Sequence, residues 1–198
     1  MRNGWESERL VYRALQDTDV DHTFMHNAIA SDPIGFPLAY SEAFRPQSTT
    51  MTAALFATLR KKSLSVVICL PTDNPIEATT MYESSQQEIL PAQAESKTQS
   101  EASTLMPIGI LTLTAPEPEN HHHRKTMLGI SVINAYQGRG YGPEAINWGL
   151  DWAFEFGGMH RVGATCYGYN DRGKRLYEKL GFIHYGILDS EWEKLRLV

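Results

Sequence analysis

The chain has 198 residues, 42% hydrophobic and 21% charged, which allows one domain whose core removes roughly 70% of the unfolded surface from water. Its net charge of -5 excludes a general nucleic-acid binder, whose affinity comes from Lys and Arg on phosphates, and suits small basic partners. Apolar runs such as Leu64 to Leu70 fall far short of the ~20 residues that cross a bilayer, and Cys69 and Cys166 alone cannot staple a chain of this size.

The opening Met1-Arg2-Asn3-Gly4-Trp5-Glu6 is polar and acidic, unlike a secretory leader. The expectation is a cytoplasmic protein, with the nucleus as a second compartment. Arg9 to Leu15 alternates polar and apolar residues and predicts a strand. Asp17-Thr18-Asp19 offers cap oxygens to a helix through about Ala30, stopped by Ser31-Asp32-Pro33. A loop with Pro33, Gly35, Pro37 and Pro46 precedes a second helix from about Thr49 to Lys62, with Met51, Ala54, Leu55 and Leu59 on its apolar face. Leu64 to Leu70 is β-branched and predicts a buried strand that Pro71 ends.

From Thr72 to Thr104 the chain turns Ser-, Thr-, Gln- and Glu-rich and loses its apolar period, which predicts a flexible insertion within the single domain, with one helical turn near Met81–Leu90. Pro107–Thr114 and Lys125–Ile133 read as strands around a turn that carries His121-His122-His123. Three consecutive histidines do not share one tetrahedral metal site, so the turn is read as solvated and no metal is expected. A helix from Pro143 to about Phe156 follows, with Pro143 at its first position and Ala145, Ile146, Leu150, Ala153 and Phe154 inward. Arg161–Tyr167 is the next strand, Asp171–Leu180 a short helix closed by Gly181, and Phe182–Leu188 with Trp192–Val198 a terminal hairpin. The order implies an α/β fold of the α+β kind: a mixed, mostly antiparallel central sheet flanked by helices.

Gln137-Gly138-Arg139-Gly140-Tyr141-Gly142 lies between a strand and a helix start. Its glycines let successive N–H groups turn toward one point, and the helix end adds about half a positive charge, so the product is an anion cradle. The P-loop spacing and its Lys-Ser/Thr are absent, and a dinucleotide fingerprint needs G-x-G-x-x-G early in a repeated β-α pattern. A glycine-rich turn without a ligand is the remaining alternative.

Gln-x-x-Gly-x-Gly, followed by Asn170 and then Tyr177-Glu-Lys-Leu-Gly-Phe182, resembles the acetyl-CoA signature of the GNAT N-acetyltransferase superfamily. With Leu150-Asp-Trp-Ala-Phe154 and His160-Arg161-Val162, it is most similar to the branch of spermidine and ribosomal-protein N-terminal acetyltransferases. The specific part covers Leu128 to Phe182. The resemblance implies that Ile130, Ser131 and Val132 hydrogen-bond the pantetheine arm through their backbone. It implies that Gln137, Gly138, Arg139, Gly140, Tyr141 and Gly142 hold the pyrophosphate. Asn170 would hold pantetheine or cap its helix, two roles it can combine.

Tyr177 matches the residue that protonates the departing thiolate, a role that suits a phenol with pKa about 10; the alternative is a packed aromatic. The family's possible base position is Thr165 here. A water chain, or an acid from Asp32–Glu42, is left to remove the amine's proton. Cys166 is read as a buried small hydrophobe. The implied function is acetyl transfer from acetyl-CoA to a primary amine by direct attack in a ternary complex. The acceptor is a small amine or polyamine, or else a protein N-terminus or lysine, and the enzyme a monomer or homodimer. The rival is a non-catalytic acetyl-CoA-binding or interaction module, suggested by the missing base. A third reading places a different phosphorylated ligand in the loop.

Overall fold

A computed structural model describes residues 4–40, 44–72, 104–116, 118–188 and 192–197. The first half runs β1 (Val11–Ala14), α1 (Asp19–Phe24) with a π-helical turn Met25–Ala30, α2 (Phe36–Ala39), α3 (Thr49–Arg60), β2 (Leu64–Thr72) and β3 (Thr104–Leu113). After a 3-10 turn at Pro118–His123 come β4 (Lys125–Val132) and a second such turn at Asn134–Tyr136. The chain continues through α4 (Tyr141–Asp151) with a π-helical turn Trp152–Phe156, β5 (Arg161–Tyr167), α5 (Asp171–Lys179), β6 (Ile183–Leu188) and β7 (Trp192–Leu197). No helix among the described residues is long and apolar enough to cross a membrane.

The strands form one seven-stranded sheet in the order β1-β2-β3-β4-β5-β7-β6. Every neighbouring pair is antiparallel except β4 and β5, which run parallel. Helices cover both faces, as the order of elements predicts. On one face Val66, Ile68 and Leu111 pack with Ala145, Ile146 and Trp148 of α4 and Tyr177 of α5. On the other, Val67, Cys69 and Ile110 pack with Phe24, Met25 and Ile29 of the first helix and Phe56 and Leu59 of α3. A strand buried on both faces reads as a continuous apolar run, which is why β2 lacks alternation.

Local signals set most boundaries. Thr18 accepts from the Asp21 N–H and Ser48 from the Met51 N–H, each opening a helix in place of an intrahelical carbonyl. Gly181 adopts φ +88° just past α5, with Gly181 N–H donating to Glu178 O and Phe182 N–H to Tyr177 O, a Schellman closure.

Four expectations need correction. α3 buries Thr52, Phe56 and Leu59, and Ala54 faces solvent. β2 continues through Pro71 to Thr72; β1 pairing ends at Val11↔Cys69, so Pro71 sits on a one-sided stretch that tolerates a missing N–H. α4 begins at Tyr141 with Gly140 as its cap, which puts Pro143 third in the first turn, still where its missing donor has no carbonyl to meet. Its inward face includes Trp148, and Phe154 is 36% exposed. The loop after Pro33 also contains α2, closed by the Tyr40 N–H on Phe36 O. The helical turn expected near Met81–Leu90 and the insertion around it lie outside the described residues, as does Glu42.

Candidate functional site

The site follows from how β4 divides its partners. Its Gly129–Val132 half pairs with β3, down to Gly109↔Val132. Against β5 it pairs only from Lys125↔Arg161 to Leu128↔Ala164. Both strands continue past that point, β4 to Val132 and β5 to Tyr167. Their described register does not, so the strands part like a wedge. Burial records the change: Thr126 and Leu128 are buried and alternate with exposed Lys125 and Met127, whereas Gly129, Ile130, Ser131 and Val132 are all half-buried. Alternate main-chain groups of that half face β3, and the others face the gap.

Past the open end of β4 lies the glycine loop. Gly138 has φ +77° and Gly140 φ +86°, left-handed conformations that cost an L side chain about 1–2 kcal/mol. The turn they make leads into α4, where the N–H groups of Tyr141 and Gly142 lie in the first turn, beyond reach of any intrahelical carbonyl. Gln137 fixes the loop to the strand. Its Nε2 donates to Val132 O at 2.6 Å, and its Oε1 accepts from Arg172 Nη1 at 2.6 Å. Arg172 therefore hangs over the loop, and a Cβ added at Gly138 would lie 3.8 Å from its Nη2. The Arg139 guanidinium covers the Tyr136 ring 5.5 Å from its centroid.

α5 supplies the other wall. Asn170 caps it, accepting from the Gly173 N–H at 2.8 Å, while its Nδ2 donates to Leu38 O at 3.2 Å. Tyr169 donates to Pro37 O at 2.6 Å. These bonds strap α2 across the mouth of the gap, where it contacts both β4 and β5. Tyr177 is buried at 6% exposure, with its ring 5.3 Å from Phe182, in the core cluster that holds Cys166. Burial, and secondarily Cys166, pushes its phenol well above the usual range. Its hydroxyl takes no hydrogen bond among the described residues. Cys166 lies two positions beyond the last β4–β5 pair, in the stretch of β5 that no longer pairs with β4. Cys166 is itself 3% exposed, the small buried side chain expected.

Two described acids of the first half have structural partners. Asp21 is buried and takes both Arg13 Nη groups, at 2.8 and 2.5 Å, together with the Gln16 N–H. Asp32 accepts from the Ile34 N–H and shapes the turn before α2. Thr165 is half-buried on β5 within the parted stretch. His121–His123 form an exposed turn beside a concavity of about 580 Å³, at the end of β4 away from the gap. No group of metal-binding side chains occurs among the described residues.

Gln137 thus ties the end of β4 to the glycine loop and to Arg172 of α5, the helix that Asn170 caps and that carries Tyr177 into the core. Arg172 was missed by sequence reasoning. Its signal was faint: a basic residue in the first turn of a helix, where the dipole favours acids.

Several comparisons bear on this geometry. Residues 9–183 match the family described as acetyltransferase (GNAT) domain. Over 73 residues the chain is 30% identical to spermidine N(1)-acetyltransferase of Vibrio cholerae, a stretch covering 37% of this chain and 42% of that enzyme. The chain thus spans less than half the length of this curated relative. Among solved structures, a GNAT-family acetyltransferase from Bacillus anthracis superposes with TM-score 0.65 at 16% identity, covering 98% of this chain and 96% of that one. A chimera of the spermidine N-acetyltransferase SpeG from Vibrio cholerae superposes with TM-score 0.63 at 18% identity, covering 96% of each chain. The wedge between β4 and β5, the glycine loop at its end and the match over residues 9–183 agree, and the chain belongs to the GNAT acetyltransferase family.

Proposed function

We propose that the protein transfers an acetyl group from acetyl-CoA to a primary amine by direct attack in a ternary complex. The observation that carries this reading is the parting of β4 and β5 past Leu128↔Ala164, with an anion-binding loop at its open end. Two features of the cleft fit the cofactor. The left-handed glycines keep the loop free of side chains, and Tyr177 has a buried hydroxyl awaiting a partner.

Main-chain groups of Ile130, Ser131 and Val132 that face the gap bind the extended pantetheine arm as a strand would. The amides of Gly138 to Gly142, with the α4 N-terminus, receive the pyrophosphate. Arg139 and Arg172 bring positive charge to it. Asn170 lies along the arm on the opposite wall, and its cap keeps α5 in place. Acetyl-CoA supplies an activated acyl carbon: the amine lone pair forms the C–N bond, the C–S bond breaks, and sulfur takes the electron pair. Tyr177 gives sulfur its proton, and the proton that the newly acylated nitrogen sheds restores the phenol. Placing both reactants in one cleft replaces an encounter in solution, which is the largest contribution expected of the protein.

The acceptor is a small amine or polyamine ahead of a protein N-terminus or lysine. Support comes from the net charge of -5, which attracts cations, and from the spermidine-acetylating relative. An amine with pKa about 10.4 must shed a proton at neutral pH, at a cost of about 4–5 kcal/mol. A water chain along the open gap is the proposed route, and an acid from Asp32–Glu42 is the alternative.

Titration calorimetry with acetyl-CoA, NAD and ATP tests the cofactor: micromolar binding of acetyl-CoA alone is expected. Binding of none of them, or of ATP instead, overturns the reading. A panel of amines scored by CoA release then separates the enzyme from its rival, a non-catalytic acetyl-CoA-binding module, which Thr165 at the family's base position and the lack of an acid on Met127–Val132 favour. Release of CoA excludes the rival.

A further inference from the structure

We infer that Arg9 and Glu144 are positioning residues for the anion-binding loop, holding it in the shape that receives the cofactor's phosphates. The inference rests on the acetyl-CoA reading above and assigns the segment before β1 a part in it. Far apart in sequence, the two meet across the loop. The Arg9 backbone N–H donates to Glu144 Oε1 at 2.7 Å, and its Nε and Nη2 both reach Glu144 Oε2 at 2.8 Å. The remaining arm, Nη1, donates to the Arg139 carbonyl at 3.1 Å. The guanidinium also lies over the Tyr141 ring, 4.8 Å from its centroid, and a Cβ added at Gly140 would come within 3.1 Å of Nη2. One planar side chain thus touches Arg139, Gly140, Tyr141 and Glu144. Ser7 adds a bond to Glu144 Oε1 at 2.7 Å.

The pairing also solves an electrostatic problem. Glu144 sits in the first turn of α4, beside the positive helix end that attracts an anion. A bare carboxylate there would repel a pyrophosphate. Desolvation alone would raise the Glu144 pKa, but the bonds from Ser7 and Arg9 outweigh it and hold the group below its usual range, so it is charged. Arg9 neutralises that charge with donors alone, taking a loop carbonyl and none of the loop amides. Glu144 in turn fixes the guanidinium that braces the loop. Neither residue needs to touch the cofactor.

The test measures binding of acetyl-CoA, inorganic pyrophosphate and S-acetylpantetheine, which lacks the nucleotide, to wild type, Arg9→Ala, Arg9→Lys and the double variant R9A/E144Q. Arg9→Ala is expected to weaken acetyl-CoA and pyrophosphate about tenfold and to leave S-acetylpantetheine within about twofold. Arg9→Lys recovers part of the loss. Adding Glu144→Gln to Arg9→Ala also recovers part, because it removes the exposed carboxylate. Amides of Gly138, Arg139 and Gly140 should exchange hydrogen faster in Arg9→Ala with no ligand present. Equal weakening of all three ligands would make Arg9 a general brace and overturn the inference. So would unchanged affinities or unchanged loop exchange. If wild type binds neither acetyl-CoA nor pyrophosphate, the cofactor reading fails first, and the exchange rates still decide whether Arg9 shapes the loop.

Discussion

Tyr177 carries two facts that pull against each other unless it has a ligand. A phenol at 6% exposure without a hydrogen-bond partner among the described residues costs about 1–3 kcal/mol, a cost a native core seldom leaves standing. Packing alone would be served as well by phenylalanine. Phe in place of Tyr177 is therefore expected to keep or raise thermal stability and leave acetyl-CoA affinity within about twofold. It should lower kcat by about a hundredfold or more, the range for a placed general acid. An unchanged kcat would return Tyr177 to the core. The pH profile follows from the direction of its shift. A general acid works while protonated, and burial raises this pKa above the ordinary value of about 10, so no alkaline loss from Tyr177 should appear below pH 10. On the proposed water route, kcat/KM instead climbs with pH toward the amine's own pKa. A plateau setting in near pH 6–7 would reveal a base.

At the scale of elements, helices announced themselves by caps and breakers, and those signals held at Thr18, Asn170 and Gly181. Faces were harder. On α3 the apolar residues suggested Met51, Ala54, Leu55 and Leu59, but the inward row is Thr52, Phe56 and Leu59. Thr52 hid the row because it is polar. Its hydroxyl is satisfied indoors, by Ser48 O at 3.3 Å and His26 Nδ1 at 2.9 Å, and no sequence pattern reports a bond between two helices. The same reason kept Arg9, Glu144 and Arg172 out of the site: their partners lie across the fold. The left-handed turn of the glycine loop was legible because its backbone demands are local to one turn, whereas Tyr177 was singled out by resemblance and its role stands as proposed.

The corrected face makes a stability prediction. Phe56→Ala empties a site 1% exposed and should cost about 3–5 kcal/mol, read as a lower urea midpoint. Ala54→Ser on the outer face should move it by less than about 0.5 kcal/mol. The reverse order would restore the face read from the sequence.

For the whole molecule, the informative register is the last pair of the β2–β3 ladder, Thr72↔Thr104. The long polar segment leaves and re-enters the sheet at directly opposed residues, as the tip of a hairpin would. Opposed strand ends can be joined by a two-residue type I′ turn such as Asn-Gly, whose twist suits the flanking strands. We therefore expect that replacing residues 73–103 with Asn-Gly leaves a folded protein with acetyl-CoA affinity within about twofold. Closing a shorter loop costs less entropy, about 0.6 kcal/mol for each halving of its length, so the thermal midpoint should hold or rise. Calorimetric melting and acetyl-CoA titration of the shortened chain read both quantities. A fall in midpoint would mean that the segment packs on the domain, and a loss of affinity with an unchanged midpoint would make it part of the cofactor site.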